Sequence, residues 1–277
     1  MNKTNFIPKV ILLTGASSGI GHSTALKLLS GGHVVYAAAR RLDRMADLEA
    51  AGAHLIEMDV CSEASMAAGV ERVYAEQGRV DVLINNAGYG YFGALETVSM
   101  EEARRQVEVN LFGLANLCRL VLPHMREAGG GRIINVASMA GHFCEPRGDW
   151  YHATKYAVVG LSQCLRMELI PFGIKVILIE PGAIATPWCD IAMDNIEACS
   201  KGTAYEAGAR RHARLFRWAY AHFASSPERV SDAMVKASLR RRPRLRYRMG
   251  FGARAFPFFA KLLPGRCFDR MMHRIFG

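Results

Sequence analysis

The sequence predicts an α/β chain built on a doubly wound parallel sheet with helices on both faces. Three observations predict it. Short β-branched runs alternate with longer amphipathic segments along the chain. A glycine-rich turn, Thr14-Gly-Ala-Ser-Ser-Gly-Ile-Gly21, follows the first run directly and opens the first helical pattern. Hydrophobic residues are 51% of the 277 and charged residues 22%, which is enough apolar material to bury a large sheet and excludes a disordered chain.

Taken in order, the apolar runs place strands at 10–14, 34–38, 54–57, 82–85, 132–137 and 175–180, with a seventh at 245–249. Helical spacing falls between them at 19–30, 42–50, 62–77, 99–127, 150–171 and 227–239. Pro181, Gly182 and Pro187 stop the sixth strand and open a stretch at 188–226 with helical spacing and no strand partner. Such an excursion beyond a strand's carboxyl end is where an open sheet keeps its ligands, so 188–226 is read as a substrate cover. A helical hairpin that only stabilises the rim is the alternative. With no internal repeat and no low-complexity linker, residues 1–277 read as one catalytic domain carrying that cover and a basic C-terminal extension at 250–277.

The net charge of +10 is unevenly placed. Residues 201–277 hold 18 Lys or Arg against 4 Asp or Glu, a balance of +14, which leaves −4 for the first 200 residues. The excess bears on partners rather than on fold. Seven cysteines, widely spread and without a Cys-x-x-Cys pair, read as reduced, mostly buried small hydrophobes and point to no metal site. The start of the chain runs straight into a strand and shows no signal-peptide pattern, and no stretch approaches the roughly 18 uninterrupted apolar residues of a spanning helix. A cytoplasmic protein, at most attached to a membrane surface, is expected.

The glycine turn lets the backbone approach a pyrophosphate at a helix N-terminus, which a side chain at Gly15, Gly19 or Gly21 would block. After the second strand comes Ala39-Arg40-Arg41, with no carboxylate where an NAD enzyme would bind both ribose hydroxyls. Arg40 and Arg41 offer planar forked donors suited to a 2′-phosphate, so NADP(H) is preferred and NAD(H) is the alternative. Tyr151-His-Ala-Thr-Lys155 opens a helix, and its four-residue spacing puts phenol and ammonium on one face, about 5 to 6 Å apart at Cβ. A free phenol titrates near ~10, and a nearby cation is what would make it useful as an acid or base at neutral pH. Ser138, ending the fifth strand thirteen residues before Tyr151, is placed to polarise a substrate oxygen.

The spacing Thr-Gly-x-x-x-Gly-x-Gly, with Asn85-Asn-Ala-Gly88, Asn110, Ser138, Tyr151, Lys155 and Pro181-Gly182 in order, resembles the short-chain dehydrogenase/reductase family over residues 8–187. The departures are Thr154 for the usual serine before the lysine, and His152 beside the tyrosine. The resemblance implies a Rossmann sheet of seven strands in the order 3-2-1-4-5-6-7, and a catalytic set of Asn110, Ser138, Tyr151 and Lys155. It implies a cofactor site of Gly15, Ser17, Ser18, Gly19, Ile20, Gly21, Arg40, Arg41, Asp59, Val60, Asn86, Ala87, Gly88, Tyr151, Lys155, Pro181, Gly182, Ile184 and Thr186. Its substrate loops fall at 89–95, 139–150 and 184–220, where Tyr89, Tyr91, Phe92, Phe143, Trp150, Trp188 and Met193 point to a greasy alcohol or ketone.

The C-terminal length looks like that of the hydroxysteroid and retinol dehydrogenase branch, so a hydroxysteroid is expected. Retinal, an acyl-lipid ketone and a 3-oxoacyl substrate are the alternatives. Family oligomers imply a homodimer or homotetramer through 99–127 and 150–171. Two other classes of function are a non-catalytic NADP-binding regulator, and a membrane- or protein-binding module that would use the basic tail with Phe251, Phe256, Phe258, Phe259, Leu262 and Leu263. A nucleic-acid partner is not expected, because the arginines lack a recognition module.

Overall fold

Strands bury best when β-branched residues fill both faces, and that composition sets the centre of the molecule. In the computed structural model, which describes residues 7–277, seven strands pair in parallel: β1 (Val10–Thr14), β2 (Val34–Ala39), β3 (His54–Glu57), β4 (Val82–Asn85), β5 (Gly131–Val136), β6 (Ile174–Pro181) and β7 (Arg246–Met249). Their order is β3-β2-β1-β4-β5-β6-β7, the Rossmann order expected from the sequence. The order reverses between β1 and β4, so their carboxyl ends form a crevice.

Successive strand residues face opposite layers. Leu12, Leu83, Ile133, Val176 and Leu178 pack under α3 (Glu63–Gln77), α5 (Gly113–Glu127) and α6 (Asp149–Glu168). Ile11, Leu13, Ile84, Ile134, Ile177 and Ile179 pack under α1 (Gly19–Ser30), α2 (Ala46–Ala50) and α9 (Pro227–Leu239). Most of these side chains are fully buried, and each contributes about 1.5–3 kcal/mol relative to exposure. Local signals fix the helix ends: Ser62 accepts from the Ser65 N–H to start α3, and Gly78, left-handed at φ 68°, ends it.

The long helical pattern at 99–127 is interrupted. It forms α4 (Met100–Val107), one π turn at Glu108–Phe112, and α5, and the π turn holds Asn110 inside. The stretch at 188–226 forms α7 (Trp188–Ser200) and α8 (Glu206–Phe223) above the carboxyl edge of the sheet. The tail adds α10 (Ala255–Leu262) and α11 (Gly265–Phe276). Phe268, Met272 and Phe276 recur at four-residue spacing and bury one face of α11 in the aromatic cluster of α7 and α8.

Two arginines of the basic tail have a structural use. Glu180, fully buried on β6, receives Arg248 Nε at 2.7 Å and Arg246 Nη1 at 3.0 Å, with His142 Nε2 at 2.9 Å. β7 is thus tied to β6 by charge as well as by its ladder. Among the cysteines, Cys118 and Cys189 are buried but Cys61, Cys144, Cys164 and Cys267 are exposed, so the expectation of mostly buried thiols is corrected. No helix of the described residues is long and apolar enough to cross a membrane.

Candidate active site

The β1–α1 turn is a cradle with no room for side chains. Gly15 sits at φ 69°, and a Cβ there would lie 2.8 Å from Asn86 Nδ2 and 2.9 Å from Ala87 Cα. A Cβ on Gly21 would strike the Gly15 carbonyl and approach Asn86 Nδ2 to 2.5 Å. Asn86 is there for a reason: its Nδ2 donates to the Thr14 and Gly15 carbonyls at 3.1 Å each, while Thr14 Oγ1 accepts from the Asn86 and Ala87 N–H groups. One strand over, Asn85 Nδ2 donates to Asn135 Oδ1 at 2.9 Å, and Asn135 Nδ2 to Ser162 Oγ at 2.9 Å, locking β4, β5 and α6 together. The Asn-Asn-Ala-Gly run is therefore a brace for the glycine turn.

A cavity of about 650 Å³ runs from this cradle across the carboxyl edge of the sheet. Gly15, Ser17, Ser18, Gly19 and Ile20 line one end with Ala39, Arg40, Arg41, Asp59 and Val60. Gly21 does not reach the cavity and serves the close packing of α1 on the turn instead. A cradle lined by backbone and small residues beside two arginines, with Ala39 in place of a carboxylate, fits a dinucleotide bearing a 2′-phosphate. Asn86, Ala87, Gly88, Pro181, Gly182, Ile184 and Thr186 continue the wall.

Mid-cavity, β5 ends at Ser138 and α6 brings in Tyr151 and Lys155. All three line the cavity, with Tyr151 and Lys155 nearly buried. Lys155 Nζ donates to the Val136 carbonyl at 3.1 Å and lies 5.8 Å from the Tyr151 ring centre. Burial lowers the lysine to about 8 and pushes the phenol up to about 12, against a pull downward from the Ser138 hydroxyl. Asn110 sits behind this group. Its Nδ2 donates to the Tyr89 carbonyl at 2.8 Å and to Thr154 Oγ1 at 3.2 Å, and its Oδ1 accepts from the Tyr89 N–H at 3.0 Å. The threonine that departs from the usual serine keeps a hydroxyl for this contact. The space over Gly88 is shared by Asn110 Oδ1 and Lys155 Nζ, 3.1 and 3.6 Å from where a Cβ would stand.

The far end is aromatic. Tyr89, Tyr91, Phe92, Phe143 and Trp188 line it as expected from the substrate loops. Trp150 and Met193 do not: neither faces the cavity, and Met193 is fully buried in the cluster formed by α7 and α8. Glu145, Phe216 and Tyr220 do face it and were not singled out from the sequence. The four-residue spacing of Phe216 and Tyr220 on α8 was the available signal. No group of three or more His, Cys, Asp or Glu side chains placed to hold a metal occurs among the described residues.

The family model described as short chain dehydrogenase matches residues 9–195. A 3-ketodihydrosphingosine reductase of Bacteroides thetaiotaomicron is 44% identical over 183 residues, which is 66% of this chain and 66% of that protein. A short-chain dehydrogenase of Streptomyces avermitilis is 32% identical and superposes with a TM-score of 0.81, covering 99% of this chain and 98% of that one. An actinorhodin polyketide ketoreductase variant solved with NADPH is also 32% identical, with a TM-score of 0.71 over 84% of this chain and 90% of that one. Agreement of motif order, strand order and near-complete superposition places this protein in the short-chain dehydrogenase/reductase family, as an NAD(P)-dependent oxidoreductase.

Proposed function

We propose that the protein interconverts a secondary alcohol and a ketone on a long-chain lipid with NADP(H). One observation carries the reading: Ser138, Tyr151 and Lys155 converge on a single cavity that joins a phosphate cradle at one end to an aromatic chamber at the other. NADP(H), when bound, supplies or accepts the hydride. Gly15, Ser17, Ser18 and Gly19 would hold its pyrophosphate, Arg40 and Arg41 its 2′-phosphate, Asp59 and Val60 its adenine, and the walls at Asn86, Pro181, Ile184 and Thr186 the remainder. The related ketoreductase carries NADPH, which supports the choice.

In the reduction, the substrate oxygen accepts hydrogen bonds from Ser138 Oγ and Tyr151 Oη, and Tyr151 delivers its proton as negative charge builds on that oxygen. Lys155 stabilises the phenolate that remains, and Asn110 positions the lysine's surroundings through its bonds to Tyr89 and Thr154. In the oxidation the same tyrosine is the base. General acid catalysis of this kind contributes about 10²–10⁴-fold.

A long-chain ketone is favoured over the hydroxysteroid by the likeness to 3-ketodihydrosphingosine reductase and by the apolar walls Phe92, Trp188, Ile191 and Phe216. NADPH oxidation measured against a 3-keto long-chain lipid, a ketosteroid panel and retinal tests it. Turnover of the lipid ketone is expected; turnover of ketosteroids alone would move the assignment to the hydroxysteroid branch.

Two further readings concern partners. Phe258, Phe259 and Leu262 form one exposed face of α10 beside Lys261, in the part of the chain carrying the +14 balance, which favours contact with an anionic lipid surface. Salt-sensitive sedimentation with anionic but not neutral vesicles is expected, and its absence would remove this reading. Exposed Phe112, Tyr156 and Met167 on the π turn and α6 favour a homo-oligomer through these helices, to be read by sedimentation velocity.

A further inference from the structure

His152 directly follows Tyr151, departs from the family pattern, and does not line the cavity. Its side chain is only 3% exposed, and a polar ring so deeply buried needs hydrogen-bond partners. Nδ1 lies 2.9 Å from the Ala140 carbonyl, and since a carbonyl only accepts, Nδ1 carries the hydrogen. On the other side of the ring, Nε2 lies 3.5 Å from Glu145 Oε1. Phe143 stands edge-on to the ring at 5.4 Å, and Gly148 makes room for it, since a Cβ there would come within 2.5 Å of His152 Cδ2.

The residue that receives His152 also holds the Ser138 hydroxyl. Ser138 is followed by a single 3-10 turn, Met139–Gly141. Within it the Ala140 N–H donates to Ser138 Oγ at 3.1 Å, which occupies one lone pair and leaves the hydroxyl hydrogen to point elsewhere. Its acceptor within the protein, the Pro181 carbonyl, is 3.5 Å away, a long contact that a substrate oxygen can replace. Ser138 and the tyrosine it works with are thus joined by two hydrogen bonds, Ala140 to Ser138 and His152 to Ala140. Gly141 completes the fit: a Cβ there would come within 2.8 Å of the Lys155 carbonyl and of Val159 Cγ2, so the turn lies directly against α6 beside the lysine.

The far end of the turn is tied to the sheet. His142 Nε2 lies 2.9 Å from Glu180 Oε1, and Glu180, gripped by Arg246 and Arg248 of β7, directly precedes Pro181. A hydroxyl that starts a three-residue turn has freedom that these ties remove. Misplacing a reacting group by about 1 Å can cost about 10²-fold in rate, so the ties bear on the chemistry and not on cofactor binding.

We propose that His152 and His142 are positioning residues that hold the Ser138 hydroxyl in register with Tyr151, by pinning the turn after Ser138 to α6 at one end and to β6 at the other. The inference rests on the roles given above to Ser138 and Tyr151. Neither histidine gives or takes a proton in the reaction. Both act through Ser138.

The test is single-turnover NADPH oxidation, with the best ketone of the panel above, by His152→Leu, His152→Asn and His142→Ala, each in the wild-type and the Ser138→Ala background. His152→Leu should slow hydride transfer by about 10–100-fold while NADPH affinity, read by fluorescence titration, stays at the parent's value. His152→Asn keeps a donor near the position of Nδ1 and should recover most of the loss. His142→Ala leaves Glu180 with both arginines, so it keeps the proposal testable if His152→Leu does not fold, and it should slow the same step. In the Ser138→Ala background each of these losses should largely vanish, because the group being positioned is gone. Losses of equal size in both backgrounds, His152→Asn as slow as His152→Leu, or His142→Ala at the wild-type rate would overturn the inference. A wild type that oxidises NADPH with none of the ketones, or Ser138→Ala as fast as the wild type, would instead remove the underlying reading, and this inference with it.

Discussion

Replacing Gly21 by Ala adds one methyl group where the structure has none to spare. The new Cβ would meet the Gly15 carbonyl and stand 2.5 Å from Asn86 Nδ2. Neither neighbour is a flexible tip. Gly15 is backbone in a left-handed conformation, and Asn86 is spent on two hydrogen bonds to the Thr14 and Gly15 carbonyls. Relief requires α1 to move away from the turn or Asn86 to release both acceptors. Two part-buried hydrogen bonds are worth about 1 kcal/mol each and overpacking a further 1–3 kcal/mol, so the expected loss is about 3–5 kcal/mol. The same movement opens the phosphate cradle, so NADPH affinity should fall together with stability. Urea unfolding and NADPH fluorescence titration read the two effects. Gly265→Ala is the control, because nothing lies within 4 Å of a Cβ at that position, and it should stay within about 0.5 kcal/mol of the parent. An unchanged urea midpoint and an unchanged NADPH affinity for Gly21→Ala would refute the argument that this glycine is there for close packing.

Three other outcomes are expected. Arg40→Glu should raise the KM for NADPH by about 10–100-fold while changing that for NADH far less, because a charge-assisted contact to the 2′-phosphate is replaced by repulsion; equal effects on both cofactors would contradict the assignment. Burial works to raise the Glu180 carboxyl, but His142, Arg248 and Arg246 overcome it and hold it below its ordinary value of 4.5. A depressed folded-state value contributes stability that is complete above the unfolded value near 4.5 and is lost as pH falls through the folded one. Glu180→Ala should therefore cost about 3–5 kcal/mol at pH 7 and flatten the acid limb of the stability curve, since it strands two arginines. Asn110→Ala removes a donation to and an acceptance from Tyr89 and a donation to Thr154, so kcat should fall with little change in NADPH binding; a pure rise in KM would argue against a role beside the lysine.

Much of this architecture was legible because the signals are local. Val10 to Thr14 followed at once by the glycine turn can bury itself in few other ways, and the strand order came with the family resemblance that the motifs around it carry. The helix pattern at 99–127 hid a π turn, since apolar spacing does not reveal one extra residue in a turn. Trp150 and Met193 were expected on the substrate wall because both stand in substrate loops, but helical geometry turns Met193 into the α7 and α8 cluster. Glu145 escaped notice for the opposite reason: a single acid in a loop reads as solvated, and only the fold reveals that His152 and the aromatic chamber enclose it. The basic tail divided likewise. Arg246 and Arg248 belong to Glu180, a partner 66 and 68 residues away that composition could not identify.

The central claim, that Tyr151 delivers the proton in a site assembled around it, is tested most directly by single-turnover NADPH oxidation with a long-chain ketone by the wild type and by Tyr151→Phe. The account predicts that the variant binds NADPH as the parent does and keeps the fold, since the ring that packs on Phe92 and Trp188 remains, while the hydride-transfer rate falls by about 10²–10⁴-fold. A variant that reduces the ketone at the wild-type rate would contradict it.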